Sequence, residues 1–128
     1  MSFDLNPITG ISREVREWIS TLDQRQEAKS QTTMAALKSL SVAVLETRMY
    51  LQLMSPTKTR DLPRERELSQ LWNDAQIQLR VVDPSLADRC FTKAEYWADP
   101  TRWSAEQVHQ YNITLDSMAA TVRHFVTS

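Results

Sequence analysis

Arg102 and His109 enclose six residues within the stretch AEYWADPTRWSAEQVH, residues 94–109. An imidazole titrating near neutrality can move a proton, and a guanidinium can hold a strained phosphate, so this pair has the residue types for phosphodiester cleavage. Glu106 and His109 stand at Glu-x-x-His spacing, which sets a carboxylate and an imidazole on one helix face, as di-metal bundles require. Such a site needs a second copy of the motif, and the other histidine, His124, has Thr121 three positions before it. No metal and no other cofactor is therefore expected. Glu46 and Arg48 interrupt the most apolar segment of the chain, beside Tyr50. Buried charge persists only when paired, and Arg80, Arg102 or Arg48 itself could supply the partner. Glu46 and Tyr50 would then form the polar floor of a pocket for a small molecule. Otherwise the two charges face outward through a gap between helices.

Two family patterns bear on these residues. Glu14 and Glu17 match the first half of the Glu-x-x-Glu…Glu-x-x-Asp set of the all-α pyrophosphohydrolases. The second half is missing, because Glu46 is followed by Thr47, Arg48 and Met49, and acidic residues in a first turn are explained by the helix dipole. The Arg102–His109 spacing resembles the Arg-x(4–6)-His motif of the HEPN ribonucleases, which are themselves helical bundles. That resemblance implies RNA cleavage at a site completed across a dimer, with Arg102 and His109 contributed by each subunit. It covers only this spacing and the helical class, and Trp103 stands where a polar residue often follows the arginine.

The remaining chemistry is narrowed by composition. One glycine, Gly10, is too few for a phosphate-cradling loop, and serine-nucleophile and dinucleotide motifs are absent. A single cysteine, Cys90, rules out an internal disulfide and a cysteine-rich zinc site, and its inward position suggests a packed, inert thiol. Fifteen basic against sixteen acidic residues leave no basic excess for phosphate neutralisation, so nucleic acid is not the expected partner. No apolar run reaches the roughly 20 residues that cross a bilayer, and no basic-then-apolar leader opens the chain. A cytoplasmic, reducing setting is the expectation.

The elements that must position these residues are helices. At 128 residues, 41% hydrophobic and 24% charged, the chain can bury a core without staples, and one helical domain over 1–128 is expected. Prolines 7, 56, 63, 84 and 100 divide it. Ile11, Val15, Trp18, Ile19 and Leu22 recur at helical spacing behind Ser12, so 1–29 reads as an N-terminal helix or arm. A polar waist at 23–33 separates it from a four-helix core over 30–128. The central helix, about 34–54, is apolar on nearly every side, as a surrounded helix should be. SPTKTRDLP stops it, and a third helix starts near Pro63 with Leu68, Leu71, Trp72, Ala75, Leu79 and Val82 inward. Asp83-Pro84 opens a fourth, with Leu86, Cys90, Ala94 and Trp97 inward. Asp99-Pro100 repeats the device, and Ser104 with Gln107 fits a capping box for the last helix, which places Val108, Tyr111, Leu115, Met118, Val122 and Phe125 inward. The fold class is an all-α bundle of four to five helices.

On that frame the opening stretch has a structural explanation. Arg102, His109, Asp116 and Arg123, spaced seven apart, would line one polar stripe, and Tyr96, Trp97, Trp103 and Tyr111 would wedge an interhelical corner. Ile77 and Val81 on the third helix and Ile113 on the last fall off the inward stripes and suggest a second hydrophobic surface. The expected function is a non-enzymatic, regulatory or interaction module contacting another protein or itself, a homo-oligomer included. A HEPN-like ribonuclease and a small-ligand-binding regulator are the alternatives.

Overall fold

The computed structural model describes residues 31–57 and 59–127; the expected N-terminal helix or arm, 1–29, lies outside the described residues. The protein is an all-α bundle built from α1 (Gln31–Thr57), α2 (Leu62–Leu79), α3 (Pro84–Ala98), α4 (Ala105–Gln110) and α5 (Leu115–Thr127), with a 3-10 turn at Pro100–Arg102. No strand occurs among the described residues.

Helix α1 is the expected central helix, and every residue from Leu40 to Thr47 is buried. It runs past the expected stop, through Pro56 to Thr57. A proline so near the end of a helix removes only one of its last hydrogen bonds, and so need not end it. Asp61 caps α2 by accepting from the Arg64 amide at 3.1 Å, with proline in the first turn. Asp83 does the same for α3 at the Leu86 amide, again at 3.1 Å, with Pro84 leading. The four-residue turn between α2 and α3 makes them an antiparallel pair. Their register is fixed by Ser69 Oγ donating to the Ala94 carbonyl at 2.7 Å and by the Arg80–Asp88 ion pair at 2.5 Å.

Leu68, Trp72, Ala75 and Leu79 of α2 meet Leu86, Cys90, Ala94 and Trp97 of α3 and the inward face of α1 in one buried cluster, which Met118, Ala119 and Val122 of α5 close. Trp72 is fully buried, and its Nε1 donates to Thr47 Oγ1 at 2.9 Å, tying α2 to α1.

The last helix departs from expectation. Asp99-Pro100 starts only the 3-10 turn, and the capping box of Ser104 and Gln107 starts the six-residue α4. The chain then breaks at Tyr111–Thr114, where Asn112 takes φ 57°, a left-handed conformation that asparagine tolerates. Thr114 restarts the helix by accepting from the Ser117 amide at 3.2 Å. The break resets the phase: Tyr111, expected inward, is exposed, whereas Ile113, expected on a second outer surface, is fully buried. Two side chains of α3 hold the break in place. Arg89 donates to the Asn112 carbonyl at 3.0 Å and to Ser117 Oγ at 2.7 Å. Lys93 Nζ donates to the Ile113 carbonyl at 2.8 Å.

Candidate functional site

Three places answer to the residues singled out in the sequence. The first is where α1 ends and α2 begins. Glu46 is buried and paired with Arg64 of α2, which also reaches Glu67 at 3.3 Å. One turn further along α1, Tyr50 Oη donates to Glu65 Oε2 at 2.5 Å and accepts from the Asp61 amide at 3.0 Å. Arg60 grips the same carboxylate with two bonds, Nη2 to Oε1 at 2.6 Å and Nε to Oε2 at 3.1 Å. Above this floor lies an open groove of about 900 Å³, walled by Met49, Leu53, Met54 and Leu62. Glu46 and Tyr50 thus meet in one groove. Arg64, which was not among the expected partners, is a partner of Glu46, and Arg80 is instead held by Asp88 and Gln76.

Arg60, Arg64 and Glu65 were not anticipated. A signal for Glu65 existed: it continues the inward stripe of Leu68, Trp72, Ala75 and Leu79 by one turn, so the helix must bury it. For the two arginines no comparable signal exists, since both are only partly buried and lie in a run of alternating charge.

The electrostatics favour holding over proton transfer. Burial raises the Tyr50 hydroxyl, and its bond to Glu65 raises it further. Burial works to raise Glu65 as well, but the Arg60 hydrogen bonds, the Tyr50 hydroxyl and the Arg60 charge outweigh it and keep the carboxyl below its ordinary range. Tyrosine keeps its proton and glutamate stays ionised. Both shifts move away from the near-neutral titration that a general acid or base needs.

The second place is the aromatic corner. Edge-to-face ring contacts run from Tyr50 to Trp97 at 5.7 Å, Trp97 to Tyr96 at 5.0 Å, Tyr96 to Trp103 at 6.2 Å and Trp103 to Tyr111 at 5.7 Å. These rings fasten the 3-10 turn and the end of α4 to the core. Arg102 ends the 3-10 turn and His109 lies in α4; both are exposed, and neither lines the grooves described at the other two places. The seven-residue stripe is divided among a turn and two helices. Among the described residues no group of three or more histidine, cysteine, aspartate or glutamate side chains could hold a metal ion. Burial pushes the Cys90 thiol up to about 12, so it is no nucleophile at neutral pH.

The third place is the outer face of the α2–α3 pair. Ile77 on α2 is 58% exposed, Val81 in the following turn 78% and Phe91 on α3 45%. Phe91 faces α2 at the level of Asn73 and Asp74, and Ile77 stands one turn beyond Asn73 on α2. Beside them a furrow of about 400 Å³ runs between the two helices, lined by Gln70, Asn73, Asp74, Phe91 and Glu95 among others. Ile113, the third residue of the expected surface, belongs to the core instead.

The described residues form a helical bundle that carries a groove over Tyr50 and a furrow between α2 and α3. No helix among the described residues is long and apolar enough to cross a membrane. No family model, no curated protein and no solved structure matches the chain.

Proposed function

We propose that this chain is a non-enzymatic helical interaction module that docks another protein on the outer face of α2 and α3. The observation that carries the reading is the set of large apolar side chains, Ile77, Val81 and Phe91, left in solvent on one antiparallel helix pair. Single exposed hydrophobics are ordinary, but three on one helix pair and its turn, with Phe91 lining a furrow, are of the kind that marks contact sites. At the groove floor, Tyr50 and Glu65 are both shifted away from neutrality, which favours holding over proton transfer there.

The test is a double substitution, Ile77→Glu with Val81→Glu, in the full chain. Exposed positions tolerate such changes to within about 0.5 kcal/mol, so the variant should melt like its parent. Chemical cross-linking in the native cells should recover the parent's partner at least about tenfold less well with the variant, a loss of about 1.4 kcal/mol. Equal recovery from a folded variant would sink the reading.

A second reading has its own observation. The groove of about 900 Å³ over Tyr50, with apolar walls and a charged floor, has the size and lining of a small-molecule site. Leu53 is 76% exposed on its wall, so Leu53→Arg should fill the groove without unfolding the chain. The environment-sensitive dye 8-anilinonaphthalene-1-sulfonate should then lose fluorescence relative to the parent. Unchanged dye fluorescence would remove the groove as an apolar binding site.

A further inference from the structure

We infer that the occupant of the α2–α3 face is a basic amphipathic helix of a partner protein, a reading that rests on the docking role proposed above. The charge on the face points to it. Asp74 on α2 and Glu95 on α3 both line the furrow with Phe91, and both are exposed. Neither side chain has a hydrogen bond or an ion pair among the described residues, whereas other acids nearby are matched: Asp88 holds Arg80, and Glu67 holds Arg64. No cation lines the furrow, and Arg66, further along α2, lies two turns from Asp74. The furrow therefore offers an aromatic ring with an unmatched carboxylate on each of the two helices.

Lysine or arginine side chains entering there meet a carboxylate from each helix and the Phe91 ring along the same furrow. Exposed ion pairs contribute little to affinity, so the acids select the partner while apolar contact with Ile77, Val81 and Phe91 supplies most of the binding. The occupant's backbone must also satisfy itself. Two helices with saturated main chains present no sheet edge, so an extended peptide would find no backbone partners there, and a helix needs none. A third helix laid along an antiparallel pair sets its own i, i+3 and i+7 side chains into the furrow, in the manner of ordinary helix packing. The fit is to apolar anchors on one stripe of that helix with lysine or arginine flanking them.

The experiment is a display selection on the intact immobilised chain. The library is helical peptides of about four turns with fixed apolar anchors at i, i+3 and i+7 and flanking positions drawn equally from Lys, Arg, Glu, Asp and Gln. Enriched peptides should be net positive. In fluorescence anisotropy the strongest of them should bind about tenfold more weakly to the Asp74→Asn, Glu95→Gln double variant, and more weakly still as salt rises. Neutral or acidic winners, a double variant that binds equally well, or no enrichment would each overturn the basic-helix assignment. If those winners still lose binding on Ile77→Glu with Val81→Glu, only the charge assignment falls and the docking face stands. If they are indifferent to that substitution and to Phe91→Ala, both fall. A chain that sediments as a dimer, and as a monomer once Phe91 is changed to Asp, would place a second copy on the face and overturn the assignment as well.

Discussion

Glu65→Ala is expected to lower the unfolding free energy by about 3 kcal/mol, the largest loss foreseen at either groove. The carboxylate is almost fully buried and accepts three hydrogen bonds, two from Arg60 and one from Tyr50. Removing it leaves the buried Tyr50 hydroxyl without an acceptor and Arg60 without its anchor. Buried pairs broken on one side cost about 3–5 kcal/mol, and the low end applies because Arg60 can turn its partly exposed guanidinium to water. Glu65→Gln keeps an acceptor for Tyr50 and should cost about half as much. Urea unfolding of the three proteins measures the series. The pH dependence has a definite sign: a carboxyl held below its ordinary value of 4.5 stabilises fully above that pH and loses the advantage as pH falls below it. The gap between parent and Glu65→Gln should therefore close in acid. A loss below about 0.5 kcal/mol for Glu65→Ala would show the cluster to be as solvated as any surface pair, and the floor of the groove would no longer be a rigid one.

The same cluster shows how far the sequence could be read. The helix starts at Asp61 and Asp83 follow from local chemistry, an acceptor one turn before a free amide with proline just inside. Such devices are visible in any chain. The central helix was legible because apolar residues surround it, and Glu46 and Tyr50 were legible as a polar interruption in that helix. Their partners were not. Arg60, Arg64 and Glu65 sit in TRDLPRERE, where charges alternate and every one of them would be at home in water. The helical stripe points to Glu65 as the inward one, but that Arg60 and Arg64 meet Glu65 and Glu46 is decided by how α2 docks on α1, a tertiary fact that a local pattern does not carry. The split of the last helix was hidden for a related reason. Tyr111, Leu115, Met118 and Val122 keep helical spacing straight across the break. The break depends on Asn112 adopting a left-handed backbone and on Arg89 and Lys93 of α3 capturing the carbonyls it frees. Ile113 went from surface to core on that account, and the expected second surface kept only Ile77 and Val81. Phe91 was added only by the structure, because the α2–α3 pairing, with Ser69 against Ala94, brings it beside Asn73 and Asp74 on the outer side of the pair.

Lys93 carries the other large expected effect, and it is a pH effect. Its side chain is buried, with one acceptor, the Ile113 carbonyl, and the rings of Tyr96 and Trp72 at 5.0 and 5.9 Å. Burial lowers the ammonium from its ordinary 10.5 to about 8. Between those two values the unfolded chain binds the extra proton and the folded chain does not, so stability rises with pH. The gain is complete above 10.5 and is lost as pH falls through about 8. Other groups act in the opposite sense over the same range: Cys90, Tyr50 and Tyr96 are all raised by burial and cost stability as the medium becomes alkaline. Parent and Lys93→Met share those groups, so the difference between the two proteins isolates the lysine. At pH 7 the variant sheds a buried charge but strands the Ile113 carbonyl, and these terms oppose each other. From pH 7 to pH 9.5 the parent should gain about 2 kcal/mol on the variant, because about one and a half units above 8 each carry about 1.4 kcal/mol. Denaturant unfolding at the two pH values measures it. Parallel pH curves would mean that the ammonium reaches water, and that the link from α3 to Ile113 is an exposed contact rather than a buried charge held by aromatic rings.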